Sequence, residues 1–296
     1  MTKPLLVIIG EFHEYAAERM LIDAKKLKVK PAADGRKKLL VDRSSDYEST
    51  KKSIRLLNED ILKKEVRILR DEKVTRVFRE EEASESLKGI YARYRKDHDL
   101  KKLRQELRAD GDKTNAILHA EAKKMLLDLQ PWAPIRNGII QMYEHGRASK
   151  FPPLFSLNAV NVAYKAGIFD IVPVEDESIF LRASAFSQAI MALQTLVNGL
   201  ADALDKTGMS EKEQDATMEK LLIEYKRLLK TLDAGLSFFD SAREKAVARN
   251  IRDNFVPGSA IICGMDHAEP LSRMLSKDFE IKRYKAGETF AARMGR

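Results

Sequence analysis

Two short apolar runs, one near each end of the chain, constrain the fold more than any other feature. Leu5-Leu6-Val7-Ile8-Ile9 is closed by Gly10, and Ser259-Ala260-Ile261-Ile262-Cys263 is closed by Gly264. A continuous apolar, β-branched run has no polar face to offer water, so it is stable only as a strand covered on both sides, as in a parallel sheet. The expected fold class is therefore α/β: a mostly parallel central sheet with flanking helices.

The segments between the two runs alternate accordingly. After Gly10, the residues Tyr15, Met20, Leu21, Ala24 and Leu27 fall on one helical stripe, with Glu14 and Glu18 early and lysines late, as the helix dipole prefers. Further strands are expected at Lys38–Asp42, Val74–Phe78 and Phe169–Val174, with a helix over Leu157–Gly167. From Glu80 to about Gly146 charge dominates and strand signals vanish, which predicts a helical insertion or cap at about 80–150 within a single domain spanning 1–296. Two long stripes follow. One runs from Leu181 to Leu204 and the other from Leu221 to Leu232, separated by the turn around Gly208; these are helix–helix packing faces and carry no chemistry. A helix at Leu271–Leu275 and an edge strand at Phe279–Tyr284 complete the pattern.

The bulk properties exclude several classes. At 296 residues, 44% hydrophobic and 7% aromatic, the chain can bury a full core and is not a disordered one. No apolar run is long enough to span a bilayer, and the start lacks the cleavage pattern of a secretory signal. Cys263 is the only cysteine, so no internal disulfide forms, and a reducing, cytoplasmic compartment is expected. The net charge of +8 comes from 53 basic against 45 acidic residues. Their interleaving describes solvated helix faces more than a nucleic-acid groove, and no dedicated nucleic-acid module accompanies them.

The two apolar runs share a further property. Each is followed within three residues of its glycine by a histidine: Gly10-Glu11-Phe12-His13-Glu14 and Gly264-Met265-Asp266-His267. Ligands of parallel α/β sheets collect at the carboxyl ends of the strands. If the two strands are close, His13 and His267 face one pocket together with Glu11, Glu14 and Asp266. Such a set of imidazoles and carboxylates can hold a divalent metal ion, can work as a metal-free general-base pair, or can offer a haem iron an axial ligand. His98 and His119 are expected to face solvent, and His145 to end a helix. The acidic triplets Glu80-Glu81-Glu82 and Glu175-Asp176-Glu177 are expected as solvated caps, although one carboxylate from either can reach the pocket. Cys263 is expected in the core rather than as a nucleophile.

These residues resemble a known group. Gly10-Glu11-Phe12-His13 is similar to the Gly-Glu-x-His opening of the superfamily that joins the TIKI and TraB proteins, the erythromycin esterases and the ChaN-like haem-binding proteins. The stretch Arg243–Ile251 is similar to that group's Arg-rich helix, and Ile261–His267 to its strand and Gly-x-x-His. The resemblance covers the ends of the chain and leaves the middle unaccounted for. It implies an α/β fold in which the two motifs meet, with Glu11, His13, Arg243 and His267 as catalytic positions. Glu11, His13 and His267 would be the metal ligands, and a glutamate after the second strand (Glu80, Glu81 or Glu82) is also implied. The group divides between metal-dependent proteolysis, ester hydrolysis and haem binding. The expectation carried forward is a hydrolase of esters or peptides, using a divalent ion (Mn, Co or Zn) and acting on a small-molecule or peptide substrate. The alternatives are a non-catalytic haem or metal binder, or an interaction protein acting through its basic helical insert.

Overall fold

A computed structural model describes residues 3–11, 28–31, 37–40, 59–146, 158–204 and 207–286. Five strands form one parallel sheet: β1 (Leu5–Glu11), β4 (Arg76–Glu82), β5 (Asp170–Glu175), β6 (Ser259–Gly264) and β7 (Glu280–Lys285), in the order β5-β4-β6-β1-β7. The expected α/β class is what the chain adopts. Two short strands, β2 (Lys28–Pro31) and β3 (Lys37–Leu40), pair antiparallel in a separate hairpin.

The two apolar runs are neighbours. β1 and β6 pair in parallel from Val7↔Ala260 to Glu11↔Gly264, and both are buried almost throughout. Leu6, Ile8, Phe78, Ile261 and Cys263 fill one face of the sheet. Against them lie Ala268, Leu271 and Leu275 of the helix Met265–Leu275. Burying side chains of this size contributes roughly 1.5–3 kcal/mol each, which explains why the polar-faced β7 takes an edge while β1 and β6 lie inside.

Among the described residues the helices, in chain order, are α1 (described over 59–71), α2 (Glu85–Asp97), α3 (Leu100–Asp128), α4 (Ala133–Glu144), α5 (Asn158–Ala166), α6 (Glu177–Leu204), α7 (Glu211–Asn254) and α8 (Met265–Leu275). Two helices announce their ends clearly in the sequence. Ser84 caps α2 by accepting from the Leu87 N–H at 3.2 Å, and Pro134 sits in the first turn of α4, where its missing N–H costs nothing.

Contacts divide the chain into two units. The first comprises 1–105, 155–174 and 247–296 and holds the sheet; the second comprises 106–154 and 175–246 and is helical. Its core joins Leu126, Ile139, Leu193 and Leu228 of α3, α4, α6 and α7. The helical part is thus assembled from two separated segments. Most of the residues from 80 to 105, expected in a cap, belong instead to the sheet strand β4 and to α2 in the first unit.

Candidate functional site

The chain path marks where a ligand of such a sheet would be expected. After β1 the next strand of the sheet is β4, two places to one side; after β6 it is β7, two places to the other. Connections that leave neighbouring strands in opposite directions open a crevice beyond their carboxyl ends. Here the two strand ends meet at the pair Glu11↔Gly264.

Glu11 is the last residue of β1 and is 4% exposed. Gly264 ends β6 and is the N-cap of α8, so His267 sits half-buried in that helix's first turn, one turn beyond the strand. Asp266, beside it, is exposed. Packing fixes the start of α8 closely: a Cβ built on Gly10 would lie 3.2 Å from Ala268 Cβ and 3.3 Å from Met265 Cγ. A glycine at this position lets the helix approach the strand end, and no positive φ is involved. From the other side, Glu80 of β4 accepts the Gly264 N–H at 2.8 Å through Oε2, tying the end of β6 to β4. His13 and Glu14 lie outside the described residues.

The acidic triplet after the third expected strand is not the solvated cap anticipated. β4 continues through Glu82, and Glu81 and Glu82 are 5% and 7% exposed. The physical reason is a buried partner that the apolar pattern does not advertise. Arg79, 4% exposed, places Nη1 2.8 Å from Glu81 Oε2. Tyr91 of α2 donates its hydroxyl to the same oxygen at 2.6 Å and accepts from Arg79. Burial works against the Arg79 charge, but Glu81, Tyr91 and Glu82 outweigh it and hold the guanidinium ionised. Burial also pushes the Tyr91 phenol far up, so it remains a donor. Arg79 and Glu81, two apart on one strand and of opposite sign, were the available sequence signal.

Cys263 is fully buried in the core, as expected. Burial, then the nearby charges of Glu80 and Glu11, push its thiol well above the usual range, which excludes a thiolate nucleophile at neutral pH.

Arg243 belongs to the second unit. Its Nε and Nη2 grip Glu175 in a two-pronged pair at 2.7 Å each, and Nη1 reaches Asp240 at 3.2 Å. The Glu175 side chain is 1% exposed, so the second acidic triplet also begins with a buried, paired carboxylate rather than a solvated one. Among the remaining histidines, His98 is exposed and stacks on Phe169. His145 ends α4 with Nδ1 2.9 Å from the Gln141 carbonyl, the helix-end role expected of it. His119 departs from expectation: it is half-buried, edge-on to Tyr143 at 6.4 Å between ring centres.

Carboxylate oxygens and an imidazole nitrogen are donors that Mn²⁺, Co²⁺ and Zn²⁺ accept, so Glu11 and His267 suit such an ion in kind. Among the described residues, no three side chains of this type gather to hold one. No described helix is long and apolar enough to cross a membrane. In comparisons with protein-family models, curated proteins and solved structures, the chain matches none.

Proposed function

We propose that the protein is a metal-dependent hydrolase of an ester or peptide bond, working at the carboxyl ends of β1 and β6. The observation that supports this reading is the pairing of those two strands, which sets Glu11 beside Gly264, three residues before His267, although the two strands come from opposite ends of the sequence.

In this reading Glu11, His13 and His267 hold the ion, which when bound supplies a polarised carbonyl and a water of lowered pKa. Glu11, held in a site almost closed to solvent, orients the attacking water. A histidine of the pair gives a proton to the departing group. Glu80, bound to the Gly264 N–H, keeps the α8 start against the strand ends, so the imidazole does not drift. The resemblance also assigns Arg243 to an anionic or carbonyl oxygen through its fork, but in the second unit that fork is engaged by Glu175, so Arg243 takes no step in this reading.

Elemental analysis of the purified protein, beside a broad esterase and peptidase screen, tests this. The expected result is about one equivalent of Mn, Co or Zn and a hydrolytic activity, both lost in His13→Ala and His267→Ala with the fold retained. Metal content and hydrolysis untouched in both variants would sink the proposal.

A further inference from the structure

A second group of side chains gathers at the amino end of the sheet, where β5 begins, at the opposite end from the crevice discussed above. Phe169, the residue before β5, is its hub. The Tyr94 ring of α2 meets Phe169 edge-on at 6.0 Å between ring centres, and the Tyr164 ring of α5 does so at 6.4 Å. His98, exposed at the end of α2, stacks on Phe169 at 3.8 Å, so the aromatic cluster ends at the surface. Arg104 of α3 donates through Nη2 to Asn161 of α5 at 2.6 Å, one helical turn before Tyr164. All six residues belong to the first unit. Three features of the group work against stability. Tyr94 is 3% exposed, yet among the described residues its hydroxyl has no hydrogen-bond partner. The buried Arg104 Nε–H has none either, and that guanidinium meets a neutral amide rather than a carboxylate. His98 holds a φ of 55°, in the left-handed region where glycine sits without strain. Buried donors without acceptors and strained backbone persist where a ligand uses them.

We propose that Tyr94, Arg104 and Tyr164 form an oxyanion site that takes the phosphate of a nucleotide, with the base stacked on His98. The inference is independent of the metal reading. The unsatisfied donors of Tyr94 and Arg104 call for an acceptor, and a guanidinium without a carboxylate calls for a negatively charged one, which phosphate matches in shape. Burial pushes the Tyr94 phenol up to about 12, with Tyr164 adding to the effect and Arg104 opposing it. Both therefore lie within electrostatic reach of the phenol, which stays a donor at neutral pH. The surrounding chain is basic: from Lys88 to Gln105 there are seven Lys and Arg against two Asp, a bias that draws anions to this face. An exposed ring beside an anion site is what a nucleobase needs for stacking.

Calorimetry on the full chain provides the test, with AMP, inorganic phosphate and a short oligo(dT) strand as probes. AMP should bind about 10-fold or more tighter than inorganic phosphate, the contribution of one stacked base. Tyr94→Phe and Arg104→Lys should each weaken AMP and phosphate about 10-fold. His98→Gly should weaken AMP about 10-fold and leave phosphate unchanged. Tyr94→Phe removes an unsatisfied group and His98→Gly relieves the left-handed φ, so both should melt no lower than the wild type; if Tyr94→Phe fails to fold, the other two variants carry the test. Glu72→Gln, at the remote Lys282–Tyr284 cluster, should change nothing. Oligo(dT) binding tighter than AMP, with a steep salt dependence, assigns the phosphate to a single strand, and AMP binding at least as tight assigns it to a free nucleotide. A wild type that binds none of the probes overturns the inference. So do site variants with wild-type affinity, or phosphate binding as tightly as AMP.

Discussion

At Arg243 a planar fork holds a carboxylate that is 1% exposed, while the arginine itself is 19% exposed. Replacing it by alanine leaves Glu175 buried without that partner. For a fully enclosed pair such a loss costs 3–5 kcal/mol; the partial exposure here lowers the expectation to about 2–4 kcal/mol, read from urea unfolding. Arg243→Lys should recover little, because an ammonium cannot reproduce the two parallel bonds. Cys263 makes the opposite kind of prediction. Thiol reagents should leave it untouched in the native protein and modify one equivalent on unfolding; rapid native labelling would show that the β6 interior is open. His119 couples stability to acidity. Burial lowers its pKa, so the folded protein takes up the proton less readily than the unfolded chain does. The stability this contributes is complete above about pH 6.5, the ordinary histidine value. It is lost as pH falls from there toward the lowered native value. Between pH 8 and 5.5 the wild type should lose more stability than His119→Gln, and equal losses would exclude the effect.

At the scale of elements, the contact between Gly10 and α8 is a closely packed joint of the first unit. Gly10→Ala inserts a methyl 3.2 Å from Ala268 Cβ, so α8 must shift by a few tenths of an ångström. The expected cost is about 1–3 kcal/mol, with Co²⁺ affinity falling as His267 moves; an unchanged melting temperature would show that the helix yields freely. The elements differ in how visible they were beforehand. β1 and β6 were legible because burial on both faces leaves an unbroken apolar run. Their adjacency was not, since pairing over such a separation depends on the whole topology. The end of β4 was misread because Arg79-Glu80-Glu81-Glu82 looks solvated until Tyr91, supplied by another element, closes over it. Edges were legible to within about two residues: β5 and β7 each begin one residue later than expected and end one later. Glu11 and His267 could be chosen from the glycine-ended strands alone, whereas the Arg79–Glu81 pair left only its opposite signs two residues apart as a trace, and Tyr91 comes from another element.

For the molecule as a whole, the two units draw on interleaved stretches of chain. The second unit takes 106–154 and 175–246, and the segment between them returns to the sheet as α5 and β5. A charged helical region is easy to recognise in sequence, but its membership depends on which stripes find each other. That is why the expected insert ended near 150 while its packing partners, α6 and α7, lay beyond it. A chain truncated after Ala246 keeps every residue assigned to the second unit but lacks β6 and β7. It should retain helical circular dichroism yet aggregate through the uncovered β1, which light scattering against the full chain would reveal.

The place of β1 between β6 and β7 also bears on how the protein is made. Both neighbours of β1 are the last two of the described strands in chain order, and residues 12–258 separate β1 from β6. At 5–20 residues per second the emerging Leu-Leu-Val-Ile-Ile segment waits roughly 10–50 s for a partner. During that interval it is the natural client of a ribosome-associated chaperone, and slowing synthesis late in the message should cost more soluble protein than slowing it early.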